Sequence, residues 1–331
     1  MLFRSILACT LVLILTGLYI TPFWRGIELK GFDLLTVISA PQQSALPIVL
    51  VGIDDASLAE LKQRWPWPRS LHARLIDALK QAGAAVIVFD VVFDFPTEKI
   101  EDEALAQAIR RAGNVVLAAG MVKQETAYGT VWLRQDPLSL YSESGAAVGL
   151  VNLEFDRDQV MRRIPDNGDA FWRKISAKLQ AALPDAVLAP PPGQDTLIRY
   201  LGPAGTYPRI SYYQMLDPAR YLPPGELANT LVIVGRETRA ASDIGSAQLD
   251  TFATPYTTFG GDLMPGMEIQ ATILENALGG HGITPAPIAV NIGLLVLTTF
   301  LAVLAMRRFR PVMSGLIALL LVAAVVVPAW L

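Results

Sequence analysis

The stretch at residues 47–96, PIVLVGIDDASLAELKQRWPWPRSLHARLIDALKQAGAAVIVFDVVFDFP, decides the fold of this chain. Two apolar runs rich in β-branched residues, at 48–53 and 84–93, have the length of buried strands. Between them apolar residues recur at helical spacing over 71–79, and Gly83 is placed to end that helix. A strand, a helix and a second strand over this length form a right-handed crossover with parallel strands, so the stretch predicts a βαβ unit.

Similar patterns continue along the chain. Apolar runs of strand length recur at 115–119, 196–201 and 231–235, and helical patterns occupy 101–111 and 171–183. This alternation of about five or six strands with helices predicts an α/β domain: a mainly parallel sheet with helices on both faces.

The chain also carries apolar runs of membrane-spanning length. Its mean hydropathy of +0.40 is high for a soluble protein, and only 17 % of its residues are charged. Runs at 6–23, 287–306 and 312–331 can each cross a bilayer as a helix. Arg4 and the arginines within 307–310 should face the cytoplasm by the positive-inside rule. These features predict a multi-pass membrane protein whose largest segment lies outside the cytoplasm.

The predicted organisation is an anchor at 1–24, an extracytoplasmic domain at 25–285, a span at 286–306, a cytoplasmic turn at 307–311 and a span at 312–331, where the chain is expected to be truncated. The first apolar run has an alternative as a cleaved signal peptide, although no A-x-A site follows it.

Charge and cysteine content narrow the possible partners. The segment between the first two spans holds 23 basic and 30 acidic residues, a net charge of −7. An acidic domain without a basic stripe is a poor binder of nucleic acid. Cys9 is the only cysteine and lies in the first span, so the external domain has neither a disulfide nor a thiolate.

Acidic residues follow the predicted strands. If Asp54 and Asp90 come from neighbouring strands, their oxygens could hold Mg²⁺ or Ca²⁺. The alternative is that Asp54 or Asp55 caps the next turn and Asp90 pairs with Arg69. No catalytic residue and no cofactor is predicted, because the chain lacks G-x-S-x-G, Walker A and helix-opening G-x-G-x-x-G motifs.

The segment Trp65-Pro66-Trp67-Pro68-Arg69 precedes the crossover helix. Two tryptophans on a proline-stiffened loop can form a ligand platform, or they can plug the edge of the sheet. If a ligand pocket exists, its expected lining is Trp67, Arg69, Asp90 and Arg236.

Several of these motifs together resemble the type-2 CHASE domain over roughly residues 31–282. They are Ile53-Asp54-Asp55, the Trp65–Arg69 segment, Phe89-Asp90, Glu101-Asp102, Thr254-Pro255 and Met264-Pro265-Gly266-Met267-Glu268-Ile269-Gln270-Ala271. The resemblance implies an extracytoplasmic sensory domain of a multi-pass receptor in the bacterial inner membrane, a homodimer that answers an unknown small-molecule or envelope stimulus. It also implies a cytoplasmic cyclase or kinase output, which is missing from this chain.

The sequence therefore favours a sensor whose connector at 28–40 and helix at 265–279 act on the spans. Two alternatives belong to other classes: a membrane-tethered, metal-dependent α/β hydrolase using Asp54 and Asp90, and a structural envelope protein without a ligand.

Overall fold

The computed structural model describes residues 21–126, 129–237 and 250–308, together with Gly17 and Met313. The chain divides into two compact units, residues 40–283 and the flanking segments 1–39 and 284–331. The helices in the described ranges are α1 (Pro22–Ser39), α2 (Asp55–Leu61), α3 (Arg69–Gln81), α4 (Lys99–Ala112), α5 (Ser139–Glu143), α6 (Phe171–Ala182), α7 (Tyr212–Met215), α8 (Pro218–Tyr221), α9 (Gly266–Gly279) and α10 (Ile288–Arg308). The strands are β1 (Ile48–Ile53), β2 (Val86–Asp90), β3 (Val115–Thr126), β4 (Gly129–Gln135), β5 (Ala147–Leu150), β6 (Arg209–Ser211), β7 (Leu231–Arg236), β8 (Thr251–Phe252) and β9 (Met264–Pro265).

The larger unit is built on one mostly parallel sheet. Its strand order in the described part of the chain is β4-β3-β2-β7-β1-β6, with β5 also paired to β3. Among the described strands of this sheet, only the β3–β4 pair is antiparallel. The predicted mixture of helices with a mainly parallel sheet is confirmed.

Side chains alternate along the central strands and fill the two faces differently. On one face Ile53, Phe89 and Val234 join the core formed with α3, α4 and α7. On the other face α9 packs on β7, and Met267 contacts the strand at Gly235. The helix that follows β7 thus lies opposite the helices that follow its neighbours β1 and β2. In α/β sheets, ligands bind at such a reversal, outside the carboxyl ends of the strands. We call the region at the carboxyl end of β7 the crevice; the cavity that borders it is lined in part by Glu237, which follows β7.

The predicted strand at 196–201 is wrong. Only Leu197 forms bridges there, to Arg163 and Ile283. The amide of Asn276 on α9 instead binds the backbone of Arg199, accepting from its N–H at 2.8 Å and donating to its carbonyl at 3.0 Å. A buried side chain therefore occupies the place that a neighbouring strand would need.

The other unit contains α1 and α10. Helix α1 begins at Pro22, earlier than the connector predicted at 28–40. Ile288–Ala305 is the one helix among the described residues that is long and apolar enough to cross a membrane. The predicted spans at 6–23 and 312–331 fall outside the described residues except for Gly17, residues 21–23 and Met313. The described residues therefore do not support several transmembrane helices.

Candidate ligand site at the carboxyl edge of the sheet

The crevice above β7 is bordered by positions that lack a side chain. A Cβ on Gly235 would lie 2.7 Å from the Cβ of Met267, so α9 approaches β7 only because this residue is glycine. A Cβ on Gly266 would lie 2.7 Å from Oδ1 of Asp250, at the first residue of α9. Glycine therefore lets both the helix and an acidic side chain come close to the edge of the sheet.

Asp54 is held firmly at the end of β1. Its Oδ1 accepts hydrogen bonds from the Ser57 backbone N–H at 2.8 Å and the Ser57 hydroxyl at 2.5 Å, and its Oδ2 accepts from the Ser211 hydroxyl at 2.5 Å. Asp54 is thus the N-cap of α2, as the capping alternative predicted. A cavity of about 330 Å³ opens beside it, lined by Asp54, Asp55, Ala56, Arg209, Ile210, Ser211 and Glu237.

Arg209 is the positively charged residue in the lining of this cavity. Its guanidinium forms ion pairs with Glu237, which follows β7, and with Glu268 in the first turn of α9. Glu268 is fully buried and also accepts the backbone N–H groups of Gly205 and Thr206, each at 2.9 Å. Burial raises the pKa of Glu268, although the Arg209 charge and the N–H donors oppose that rise. The network ties the loop before β6 to α9.

Asp90 ends β2 on the other side of β7. Burial, followed by the charge of Asp250, raises its pKa well above the ordinary value. Burial also raises the pKa of Asp250, against the opposing charge of Arg236. The crevice therefore holds two buried acidic groups, and the charge of Asp250 disfavours the ionised form of Asp90.

The geometry separates the two acids of the proposed metal site. Asp90 lies beside Gly235, and Gly235 lies beside Gly52, so β7 stands between β1 and β2. The condition that Asp54 and Asp90 come from neighbouring strands is not met. In the described ranges, no group of three or more His, Cys, Asp or Glu residues is placed to hold a metal ion.

The two tryptophans lie mainly in the core. Trp67 is 2 % exposed, and its ring centroid lies 4.7 Å from that of Tyr212. The more exposed Trp65 contacts Trp67 edge-on at 5.5 Å and lies 5.9 Å from the Arg236 guanidinium. This packing has the form of the plug that was the alternative to a ligand platform.

Arg69 lies with them in the core. It is 3 % exposed and lies 4.6 Å from the centre of the Phe93 ring. Its Nε is 3.8 Å from a carboxylate oxygen of Asp102, which also accepts the Tyr141 hydroxyl at 2.8 Å. The partner of Arg69 is therefore Asp102 and not Asp90.

The structure places only part of the predicted ligand lining at the crevice. Asp90 and Arg236 lie at the ends of β2 and β7, whereas Trp67 and Arg69 lie inside the core. Four further charged residues at this edge were not among the predicted site residues: Arg209, Glu237, Asp250 and Glu268. Glu237 directly follows a recognisable strand end, so the rule that selected Asp54 and Asp90 also applies to it.

An open α/β sheet with a polar crevice at its carboxyl edge belongs to the class of domains that present ligand sites on a rigid scaffold. Within that class, the chain belongs to the CHASE2 domain family, whose model matches residues 8–306. CHASE2 domains are extracellular sensory domains of membrane signalling receptors and are not catalytic. The resemblance seen in the sequence motifs is confirmed. No curated protein and no solved structure matches the chain.

Proposed function

We propose that this chain is the sensing part of a bacterial multi-pass receptor whose external domain binds a stimulus in the crevice above β7. The stimulus, a small molecule or an envelope component, controls a cytoplasmic nucleotide cyclase or kinase in a homodimeric receptor. The observation that carries the proposal is the placement of α9. One buried helix connects the crevice with the segment through which the chain enters the sheet.

The first turn of α9 belongs to the crevice. Glu268 reaches Arg209, Gly266 contacts Asp250, and Met267 packs against β7 at Gly235. A ligand that displaces any of these contacts acts directly on the start of the helix.

The last turns of α9 hold the entry segment. Glu275 is 1 % exposed, and its carboxylate accepts the Ser44 hydroxyl at 2.6 Å and the Ala45 N–H at 2.9 Å. Beyond Gly280, the chain leaves the unit through Ile283, which pairs with Leu197. The entry and exit segments are therefore both fastened within one or two turns of the end of α9.

A helix of 14 residues carries a displacement over about 20 Å at 1.5 Å per residue. Binding at its first turn shifts the arrangement of its last turn only if the ligand has different affinities for two arrangements. The polar groups of the crevice provide such a difference, because Arg209 can pair with Glu237 and Glu268 or with a ligand anion, but not with all of them equally.

The test replaces Glu275 in a receptor with a measurable output. Residues 1–310 are fused, at the predicted cytoplasmic turn, to a nucleotide cyclase domain, and cyclic nucleotide is measured in cells. We expect Glu275→Gln and Glu275→Ala to change basal output at equal protein level, because they loosen the attachment of Ser44 and Ala45.

The matched control is Glu103→Gln on the surface of α4; the Glu103 side chain is 49 % exposed, and its carboxylate lies 3.6 Å from the Lys99 Nζ. This variant should leave output unchanged, because surface ion pairs contribute little. Unchanged output in folded Glu275 variants would refute the proposed role of α9.

A further inference from the structure

One ion pair forms part of the wall of the cavity beside Asp54. Arg209 on β6 and Glu237 after β7 both line this cavity, and their side chains pair with each other. The Arg209 side chain is 21 % exposed and the Glu237 side chain 16 %, so a ligand in the cavity can reach both partners. The wall of the cavity therefore presents a positive and a negative group side by side.

The two outer nitrogens of the Arg209 guanidinium have different carboxylate partners. Nη2 pairs with Glu268, which is fully buried, is not part of the cavity lining, and is held by the N–H groups of Gly205 and Thr206. Nη1 pairs with Glu237, which lines the cavity. An anionic group that enters the cavity therefore takes the place of Glu237 at Nη1 and shares the guanidinium with Glu268 on α9.

Negative charge exceeds positive charge in the lining. Among the described residues that line the cavity, Asp54, Asp55 and Glu237 are acidic and Arg209 alone is basic. A Cβ on Gly52 would lie 3.0 Å from Oε2 of Glu237 and 3.7 Å from the Cβ of Asp54, so these two acidic side chains flank the same glycine. A cavity lined mainly by one sign of charge attracts ligands of the other sign. This lining therefore favours a ligand that carries a cationic group.

The residues suit an organic ammonium group better than a metal ion. In the part of the chain that the structure describes, no three His, Cys, Asp or Glu residues are placed to hold a metal. The Asp54 carboxylate already accepts three hydrogen bonds from Ser57 and Ser211. An ammonium group donates three hydrogen bonds and can share carboxylates that keep other donors.

Neither charge alone satisfies both the cavity and the proposed role of α9. An anion at Arg209 would displace Glu237 and leave its carboxylate near Asp54 without a cation, and an unpaired charge in a partly buried position is costly. A cation at Glu237 would leave Arg209 paired with Glu268, so it would not act on the start of α9. A ligand with both charges binds Arg209 and also replaces it as the partner of Glu237.

We propose that the stimulus is a free α-amino acid, with its carboxylate on Arg209 and its ammonium group between Glu237 and Asp54. Its two charged groups are attached to one carbon, which fits a site whose positive and negative groups are in direct contact. Ile210 and Ala56 offer apolar surface to its side chain, and a volume of about 330 Å³ lies at the small end of the range of ligand pockets. The inference rests on the proposed function and names the chemical class of the stimulus.

The test measures binding to the full chain, purified in mild detergent. Each standard L-amino acid is added at millimolar concentration and the unfolding temperature is recorded, since a ligand that binds only the folded state raises it. Calorimetry then compares the strongest amino acid with two smaller probes, the amine that lacks its carboxylate and the carboxylic acid that lacks its amino group. We expect each probe to bind at least about tenfold more weakly, because each leaves one charge-assisted contact unmade.

Glu237→Gln separates the two contacts while it keeps the size of the side chain. In this variant the preference for the amino acid over the carboxylic acid should fall about tenfold, because a neutral amide replaces the partner of the ammonium group. The acid itself should bind more tightly than it binds the parent, because no carboxylate competes for Nη1 of Arg209. A misfolded variant would not gain affinity. Glu103→Gln on the surface of α4 is the matched control and should bind all three compounds as the parent does.

An amine that binds as tightly as the amino acid would show that Arg209 takes no part, and an acid that does so would show the same of Glu237. Either result overturns the inference, as does the failure of every amino acid to raise the unfolding temperature. That failure leaves the sensor proposal standing, because the output of the Glu275 variants is measured without a ligand. Unchanged output in those variants, with amino-acid binding intact, would instead keep the site and refute the role of α9.

Discussion

Asp54 and Asp90 end strands on either side of β7, yet their surroundings give them opposite properties. Asp54 receives three hydrogen bonds from serine groups and serves as a helix cap. The carboxyl group of Asp90 accepts no hydrogen bond from the described residues, and the charge of Asp250 acts on it instead. A carboxyl group kept at the edge of a crevice at a cost to stability is the pattern expected of a binding position.

The Asp90 environment predicts an unusual pH dependence. Its folded-state pKa is raised by burial and by Asp250, whereas in the unfolded chain it titrates near 3.9. Between those two values the folded state binds the extra proton, so its contribution to stability falls by about 1.4 kcal/mol per pH unit as pH rises. Asp90→Asn should remove this slope and stabilise the protein at pH 7. Chemical denaturation across pH 4 to 8 checks it, and an unchanged slope in the variant would contradict the assignment.

His72 predicts the opposite slope. Burial, followed by the charge of Arg69, lowers its pKa to about 3, and a hydrogen bond of 2.8 Å joins its Nδ1 to the Tyr212 hydroxyl. Between pH 6.5 and about 3 the unfolded chain takes up a proton that the folded chain excludes. Stability should therefore fall by about 1.4 kcal/mol for each unit that pH decreases in this window.

The matching experiment compares His72→Asn with His281→Asn, whose ring is exposed. His72→Asn should flatten the stability profile between pH 6.5 and 3, even though its absolute stability is lower. The His281 variant should keep the slope of the parent. Equal slopes in the parent and both variants would show that His72 is not the group responsible.

At the scale of elements, burial on all sides explains why the sequence of α9 does not look like that of a surface helix. Its residues from Gly266 to Leu278 are all buried, so polar and apolar side chains alike face protein. Its polar residues Glu268 and Asn276 bind the backbone of the loop between α6 and β6, and Glu275 binds the backbone of the segment before β1. Buried polar groups that are fully paired specify one arrangement of their surroundings, as a relay element requires.

The contact between α9 and β7 predicts a steric effect. Gly235→Ala places a methyl group 2.7 Å from the Cβ of Met267, so helix and strand must separate. Overpacking of this kind costs about 1 to 3 kcal/mol. Gly120→Ala on β3 is the control, because nothing lies within 4 Å of its new Cβ. Denaturation midpoints that shift equally for both variants would show that this contact is not tight.

The periodicity of apolar residues predicted the helices and strands better than it predicted which strands are neighbours in the sheet. The strands at 48–53 and 231–235 and the helix ending before Gly83 follow from local pattern, and the structure has them. That β7 inserts between β1 and β2 depends on long-range pairing, which no local window contains. The proposed Asp54–Asp90 metal site assumed that sequential strands are neighbours, and β7 separates them. Arg209 and Glu268 were absent from the predicted site for the same reason, because they meet only after the sheet has formed.

At the scale of the whole molecule, the apolar helix Ile288–Ala305 and the family assignment together make the membrane orientation testable. Val187, in the loop after α6, is 98 % exposed, so a label attached there projects into solvent. Arg308 is the last residue of α10, beyond its apolar stretch and within the turn predicted to be cytoplasmic. The two positions should therefore report opposite sides of the membrane.

In a Cys9→Ser background, Val187→Cys should react with a membrane-impermeant maleimide in intact spheroplasts, because the sensory domain is expected outside. Arg308→Cys should react only after the membrane is permeabilised. Labelling of both cysteines in intact spheroplasts would place the turn outside and require another arrangement of spans. Labelling of neither before permeabilisation would place the domain in the cytoplasm, where an extracytoplasmic stimulus cannot reach the crevice. The sensor proposal requires that Val187→Cys alone is labelled in intact spheroplasts.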